Sequence, residues 1–129
     1  MSTGNGKILI MDDEEIIREV AGEMLKHFGY EVEVAKDGAE ALEKYANAMK
    51  SGTSFDAVIM DLTIPGGMGG KEAVKKLIEI DPDVKAIVSS GYSSDPVITN
   101  FRQHGFAGII TKPYQVSELS EQVKNVLQG

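Results

Sequence analysis

The stretch Ile8-Leu9-Ile10-Met11-Asp12-Asp13-Glu14-Glu15 decides the fold. Four aliphatic side chains in a row do not alternate between core and solvent, so they read as a short strand covered on both faces, the condition of a parallel sheet. Four acids follow at once, and negative charge is favourable at the start of a helix. Behind them Ile17, Ala21, Met24 and Phe28 follow a four-three-four spacing, one apolar stripe, and Gly29 supplies a stop. The unit is a strand, an acidic turn and an amphipathic helix.

Working outward, the unit recurs about every 25 residues. Val32 to Ala35, Ala57 to Met60, Ala86 to Val88 and Ala107 to Ile110 are further strand-length runs. Asp37 and Glu40 have capping-box spacing ahead of a second helix with Leu42, Tyr45, Ala46 and Met49 on one face, and a loop is expected at Asn47 to Ser54. Val74, Leu77 and Ile78 mark a third helix ending near Asp81-Pro82, and Val116, Leu119, Val123 and Val126 mark a fifth. The fourth, from about Pro96 to His104, starts with Asp95 as cap and Pro96 in the first turn. Val97, Ile98, Thr99 and Asn100 are poor helix formers, so it should be short. The pattern predicts an α/β fold, a (βα)5 doubly wound five-stranded parallel sheet. A flexible polar lead over residues 1–6 is expected to precede a single domain over 7–129.

Composition narrows the function. With 13 Lys+Arg against 20 Asp+Glu the net charge is −7, which would repel a phosphate backbone and argues against nucleic-acid binding. There is no cysteine, hence no thiolate metal site, disulfide or Cys nucleophile. No apolar run is long enough for a membrane span, and the amino terminus lacks the apolar segment of a signal peptide. A cytoplasmic protein with protein partners fits best.

Ligands of open α/β sheets sit outside the carboxyl ends of the strands. Those ends here carry Asp12-Asp13, Asp61, Ser89-Ser90 and Thr111-Lys112-Pro113, while the second run ends blandly in Lys36. In a right-handed doubly wound sheet the first and third strands are neighbours, which puts Asp12, Asp13 and Asp61 in one crevice. At about 5 Å and an effective dielectric near 20, each carboxylate pair repels by roughly 3 kcal/mol, so the cluster calls for a cation. An all-oxygen, acid-rich site suits Mg²⁺. Singly, each residue has a plainer use: helix-dipole complement, turn residue, small strand end or solvated lysine. Their joint order at successive strand ends is what points to a site.

Those residues, with Val58-Ile59-Met60-Asp61-Leu62, Pro65, Ser90-Gly91-Tyr92 and Lys112-Pro113, resemble the response-regulator receiver family, the CheY-like domains, over about Lys7 to Leu127. The resemblance implies the flavodoxin-like strand order 2-1-3-4-5 and a two-component phosphorelay. Asp61 would accept a phosphoryl group from a histidine kinase or histidine phosphotransfer domain, and the output would pass to a partner or an attached kinase or output domain. It implies Mg²⁺ held by Asp13 directly, by Asp12 through water, by Asp61 and by the backbone carbonyl of Thr63. Lys112 and Ser90 would face the phosphoryl oxygens, and Lys112-Pro113 would be cis.

Two departures stand out. Pro65-Gly66-Gly67-Met68-Gly69-Gly70 carries an extra glycine, as in receivers attached to hybrid sensor kinases, and a flexible loop is its plainer reading. Ile109 stands where many members have a switch Tyr or Phe, so the response should run through Ser90, Gly91, Tyr92 and the fourth helix instead. Thr63, Tyr92 and Ile109 are thus the modulatory positions, and Ile16, Pro113 and Tyr114 the expected exposed docking contacts.

Rival folds fit less well. A flavodoxin needs a hydroxyl- and glycine-rich phosphate loop where this chain has four acids, and a haloacid-dehalogenase-like phosphatase needs a second acid where Thr63 stands. A receiver working only as a phosphorylation-independent binding module would typically have lost an acid or the lysine, and all are present.

Overall fold

A computed structural model describes residues 6–91 and 95–128. Its elements alternate: β1 (Lys7–Met11), α1 (Glu15–His27), β2 (Glu31–Ala35), α2 (Gly38–Lys50), β3 (Ala57–Asp61), α3 (Gly70–Ile80), β4 (Ala86–Ser90), α4 (Pro96–Thr99), β5 (Gly108–Thr111) and α5 (Val116–Gln128). The strands form one parallel sheet in the order β2-β1-β3-β4-β5. That is the predicted fold.

Alternation along each strand divides the core in two. Leu9, Met11, Val58, Met60, Ala86 and Val88 pack with α2, α3 and α4, whereas Ile8, Ile10, Ala57, Ile59, Ile87 and Ile110 pack with α1 and α5. β3 and β4 are buried throughout. β2 departs from the expectation of strands covered on both faces. It is an edge strand, and Glu31 and Glu33 are exposed along it.

Helix one stops as predicted, with Gly29 at φ 95° and its N–H bonded to the Lys26 carbonyl. Asp37 caps α2 by accepting from the Glu40 N–H at 2.9 Å, and Glu40 reaches back to the Lys36 N–H at 2.7 Å. The buried face of α2 is Ala41, Tyr45 and Ala48, leaving Met49 exposed, and the helix runs to Lys50 through the first part of the expected loop.

α4 is shorter than predicted, four residues instead of a helix to His104. Asp95 caps it, accepting from the Val97 N–H at 2.8 Å. At its far end Thr99 Oγ1 and Asn100 Nδ2 both donate to the Pro96 carbonyl, at 3.1 and 3.2 Å. The Pro96 carbonyl also keeps its backbone bond from the Asn100 N–H at 3.1 Å, and from there to Gly105 the chain continues in i→i+3 turns, with Gln103, His104 and Gly105 N–H bonded to the Asn100, Phe101 and Arg102 carbonyls.

The glycine-rich segment after β3 is pinned, contrary to the flexible-loop reading. Gly38 N–H bonds the Met68 carbonyl at 2.8 Å, Gly67 N–H that of Ile64 at 3.1 Å, and Gly70 N–H that of Leu62 at 3.1 Å. A Cβ on Gly69 would stand 2.4 Å from the Leu62 carbonyl oxygen, so the glycine there permits a close backbone approach.

Candidate functional site

The carboxyl ends of β1, β3, β4 and β5 meet as the topology requires. Asp12, directly after β1, has no exposed surface. Its Oδ1 accepts the Glu14 N–H at 2.9 Å, and Arg18, one turn into α1, donates to its backbone carbonyl at 2.8 Å. The acidic turn is therefore held from the helix behind it. Asp61 closes β3, is buried, and its carboxylate faces the backbone N–H of Thr63. Asp13 is exposed, yet one carboxylate oxygen from each of Asp12, Asp13 and Asp61 lies within 4.8 Å of the other two.

Lys112 enters this cluster from β5. Its Nζ lies 2.6 Å from Asp12 Oδ2 and 3.2 Å from Asp61 Oδ2. Among the described residues, Asp12 Oδ2 has no polar partner besides that ammonium. The two partners respond differently. Burial pulls Lys112 toward neutrality, but the hydrogen bond and charge of Asp12 and the charge of Asp61 outweigh it, and its pKa is raised. Asp61 is also raised, first by burial and then by the charge of Asp12, against the pull of Lys112 and the Thr63 N–H. One ammonium shared between two acids satisfies the lysine and leaves Asp61 under-compensated.

Three carboxylates and one ammonium leave two negative charges over. That residue of charge and an all-oxygen donor set fit a hard divalent cation such as Mg²⁺.

The other predicted residues are placed as follows. Ser90 is buried at the end of β4, and its carbonyl accepts the Lys112 N–H at 3.0 Å. Lys112-Pro113 is cis. Ile109 is partly buried against the α2/α3/α4 core. Ile16 is 63% exposed and Pro113 is exposed. Tyr114, expected as an exposed docking contact, turns inward. It packs with the α1/α5 core, and its hydroxyl lies 2.6 Å from Ser89 Oγ. Burial outweighs that bond and pushes the phenol up to about 12. Tyr92 lies outside the described residues.

The response regulator receiver domain is the family whose model matches residues 8–124. The chain belongs to that family and is a receiver domain of the two-component type. It is 34% identical over 124 residues to response regulator GacA of Pseudomonas aeruginosa, covering 95% of this chain and 56% of that protein. It is also 34% identical over 121 residues to chemotaxis protein CheY of Thermotoga maritima, covering 93% and 96%. It thus spans about half of the first and nearly all of the second. A solved CheY-like receiver domain from Methanospirillum hungatei superimposes with a TM-score of 0.83 at 30% identity, covering 97% of this chain and 95% of that one. Among the described residues no helix is long and apolar enough to cross a membrane.

Proposed function

We propose that Asp61 is the phosphoacceptor of this receiver, with Mg²⁺ held by Asp12, Asp13, Asp61 and the Thr63 carbonyl. The observation that supports this best is the Lys112 ammonium between Asp61 and Asp12 inside a three-carboxylate cluster. An Asp61 carboxylate oxygen forms the new O–P bond as the P–N bond of a donor phosphohistidine breaks, and the electron pair leaves on the imidazole. Charge on the transferring oxygens is offset by the Lys112 ammonium, while the Ser90 hydroxyl donates to one of them. The metal, when bound, supplies further positive charge at those oxygens. The donor is a histidine kinase or histidine phosphotransfer domain, and the compartment is the cytoplasm. The domain signals to a partner or to an attached kinase or output domain and carries out only its own phosphorylation and dephosphorylation. Tyr92 and Ile109 modulate the response.

Intact-mass labelling with acetyl phosphate tests the acceptor. Wild type with Mg²⁺ should gain one phosphoryl group, and Asp61→Asn, or wild type in chelator, should gain none. Equal labelling of Asp61→Asn and wild type would refute it.

Docking is assigned to the exposed Ile16 and Pro113, in the segments that follow the carboxyl ends of β1 and β5. Ile16→Asp should slow transfer from a kinase about tenfold, the loss of one buried aliphatic contact, and leave acetyl phosphate labelling unchanged. An equal slowing with both donors would place Ile16 in the chemistry rather than in docking.

A further inference from the structure

Ser89 and Tyr114 take no part in the chemistry proposed above, yet they lie inside its framework. The sheet pairs Ser89 with Asp61 on one side and with Ile110 on the other. Alternation from Ile87 puts its side chain on the α1/α5 face, with Ile59, Asp61 and Ile110, whereas Ser90 follows Ala86 and Val88 to the opposite face. Ser89 has no exposed surface, and a buried hydroxyl is costly unless it is hydrogen-bonded.

Its partner is the Tyr114 hydroxyl at 2.6 Å, carried by a segment two residues beyond Lys112. On the other side of that lysine, the Lys112 N–H is held by the Ser90 carbonyl at 3.0 Å, and the Ser89 carbonyl accepts the Leu62 N–H at 2.9 Å. Lys112 is thus anchored to β4 through its own backbone and again through Tyr114. Its four-carbon stem is flexible, so where its base is held governs where the ammonium rests.

We propose that Tyr114 is a positioning residue which, through its hydrogen bond to Ser89, holds the Lys112 ammonium over Asp61. This rests on Asp61 being the phosphoacceptor. The hydroxyl pair takes the place of a purely apolar contact at this point of the core, and it gives the segment after β5 a directional tie to the strand that pairs with Asp61.

The test uses Tyr114→Phe, Ser89→Ala and the double variant of the whole chain. Acetyl phosphate labelling rates with Mg²⁺ are measured together with the NMR signals of the Lys112 side chain in unphosphorylated protein. Each single variant should label about threefold to tenfold more slowly, the rate equivalent of one net hydrogen bond. The double variant should be no slower than either single, because the pair acts as one unit. In all three the Lys112 signals should move toward those of a free lysine. Tyr45→Phe loses a comparable bond, the 2.7 Å contact to Asp81 at the opposite end of the sheet, and should change neither readout. Unchanged Lys112 signals in both single variants, or losses that multiply in the double, would overturn the proposal. If the wild type takes no label, the phosphoacceptor reading fails, and the Lys112 signals alone decide whether the tie holds the ammonium. If Tyr114→Phe does not fold, Ser89→Ala decides from the other partner.

Discussion

Lys112→Met is expected to lower folding stability by about 3 kcal/mol at neutral pH and to slow phosphorylation about 100-fold. The two losses have one cause. Asp12 is fully buried, and its Oδ2 has the Lys112 ammonium as its ion partner at 2.6 Å, so removing the cation leaves a carboxylate without compensation in the interior. Methionine keeps much of the stem and its packing, which confines the change to the charge. The sign with pH follows from the raised pKa of Lys112. A cation favoured by folding contributes fully below its ordinary value of 10.5, and that contribution disappears as pH rises through the folded value. The difference between wild type and variant should therefore be flat through neutral pH and shrink only on the alkaline side. Urea denaturation from pH 6 to 11 measures it. A variant as stable as the wild type at pH 7 would mean that the Asp12–Lys112 contact does not compensate the buried charge.

Mg²⁺ should stabilise the wild type by about 2.7 kcal/mol at one hundred times its dissociation constant, and Asp61→Asn should remove most of that gain. Without the metal, stability should fall as pH rises through the range above the ordinary carboxylate value of 3.8. Asp61 is raised by folding, first through burial and then through Asp12, so the folded state holds its proton longer than the unfolded chain does. A group of this kind opposes folding once ionised, the reverse of a salt-bridged carboxylate. Asp61→Asn should accordingly be more stable than the metal-free wild type above that range, and its pH dependence there should be flatter. Thermal denaturation of both proteins across pH, with and without Mg²⁺, checks every part. An Asp61→Asn protein that keeps both the slope and the full Mg²⁺ increment would place the cation elsewhere.

Most of the fold was legible because period and punctuation agreed. Aliphatic runs, helical stripes and the stop at Gly29 each had a local cause, and the strand order placed Asp12, Asp13, Asp61 and Lys112 together. What escaped was decided by contacts between distant segments. The shortness of α4 was foreshadowed by Val97, Ile98 and Thr99, and beyond it the chain goes on to Gly105 in i→i+3 turns that a helical reading of the sequence does not separate from α-helix. The glycine segment read as loose because one of its fasteners, the Gly38 N–H, lies on another element. Tyr114 follows two exposed or half-exposed residues and looked exposed for the same reason, since Ser89, its partner, is 25 positions away. One signal was present and unused. Counting in twos from Ile87 puts Ser89, not Ser90, on the face shared with Ile59 and Asp61.

That parity has a mechanical meaning. Asp61, Ser89 and the Lys112 bridge stand on one side of the sheet, while Ser90 and Ile109 stand on the other, beside the segment that carries α4. Along its length the sheet is a wall one backbone thick, and only at its carboxyl edge, where Ser90 closes β4, does a side chain of the far side come within reach of the phosphoryl group. A message crossing it elsewhere would have to travel as a displacement of the β4 main chain, where neighbouring residues point to opposite sides, as in a lever with one residue on each arm.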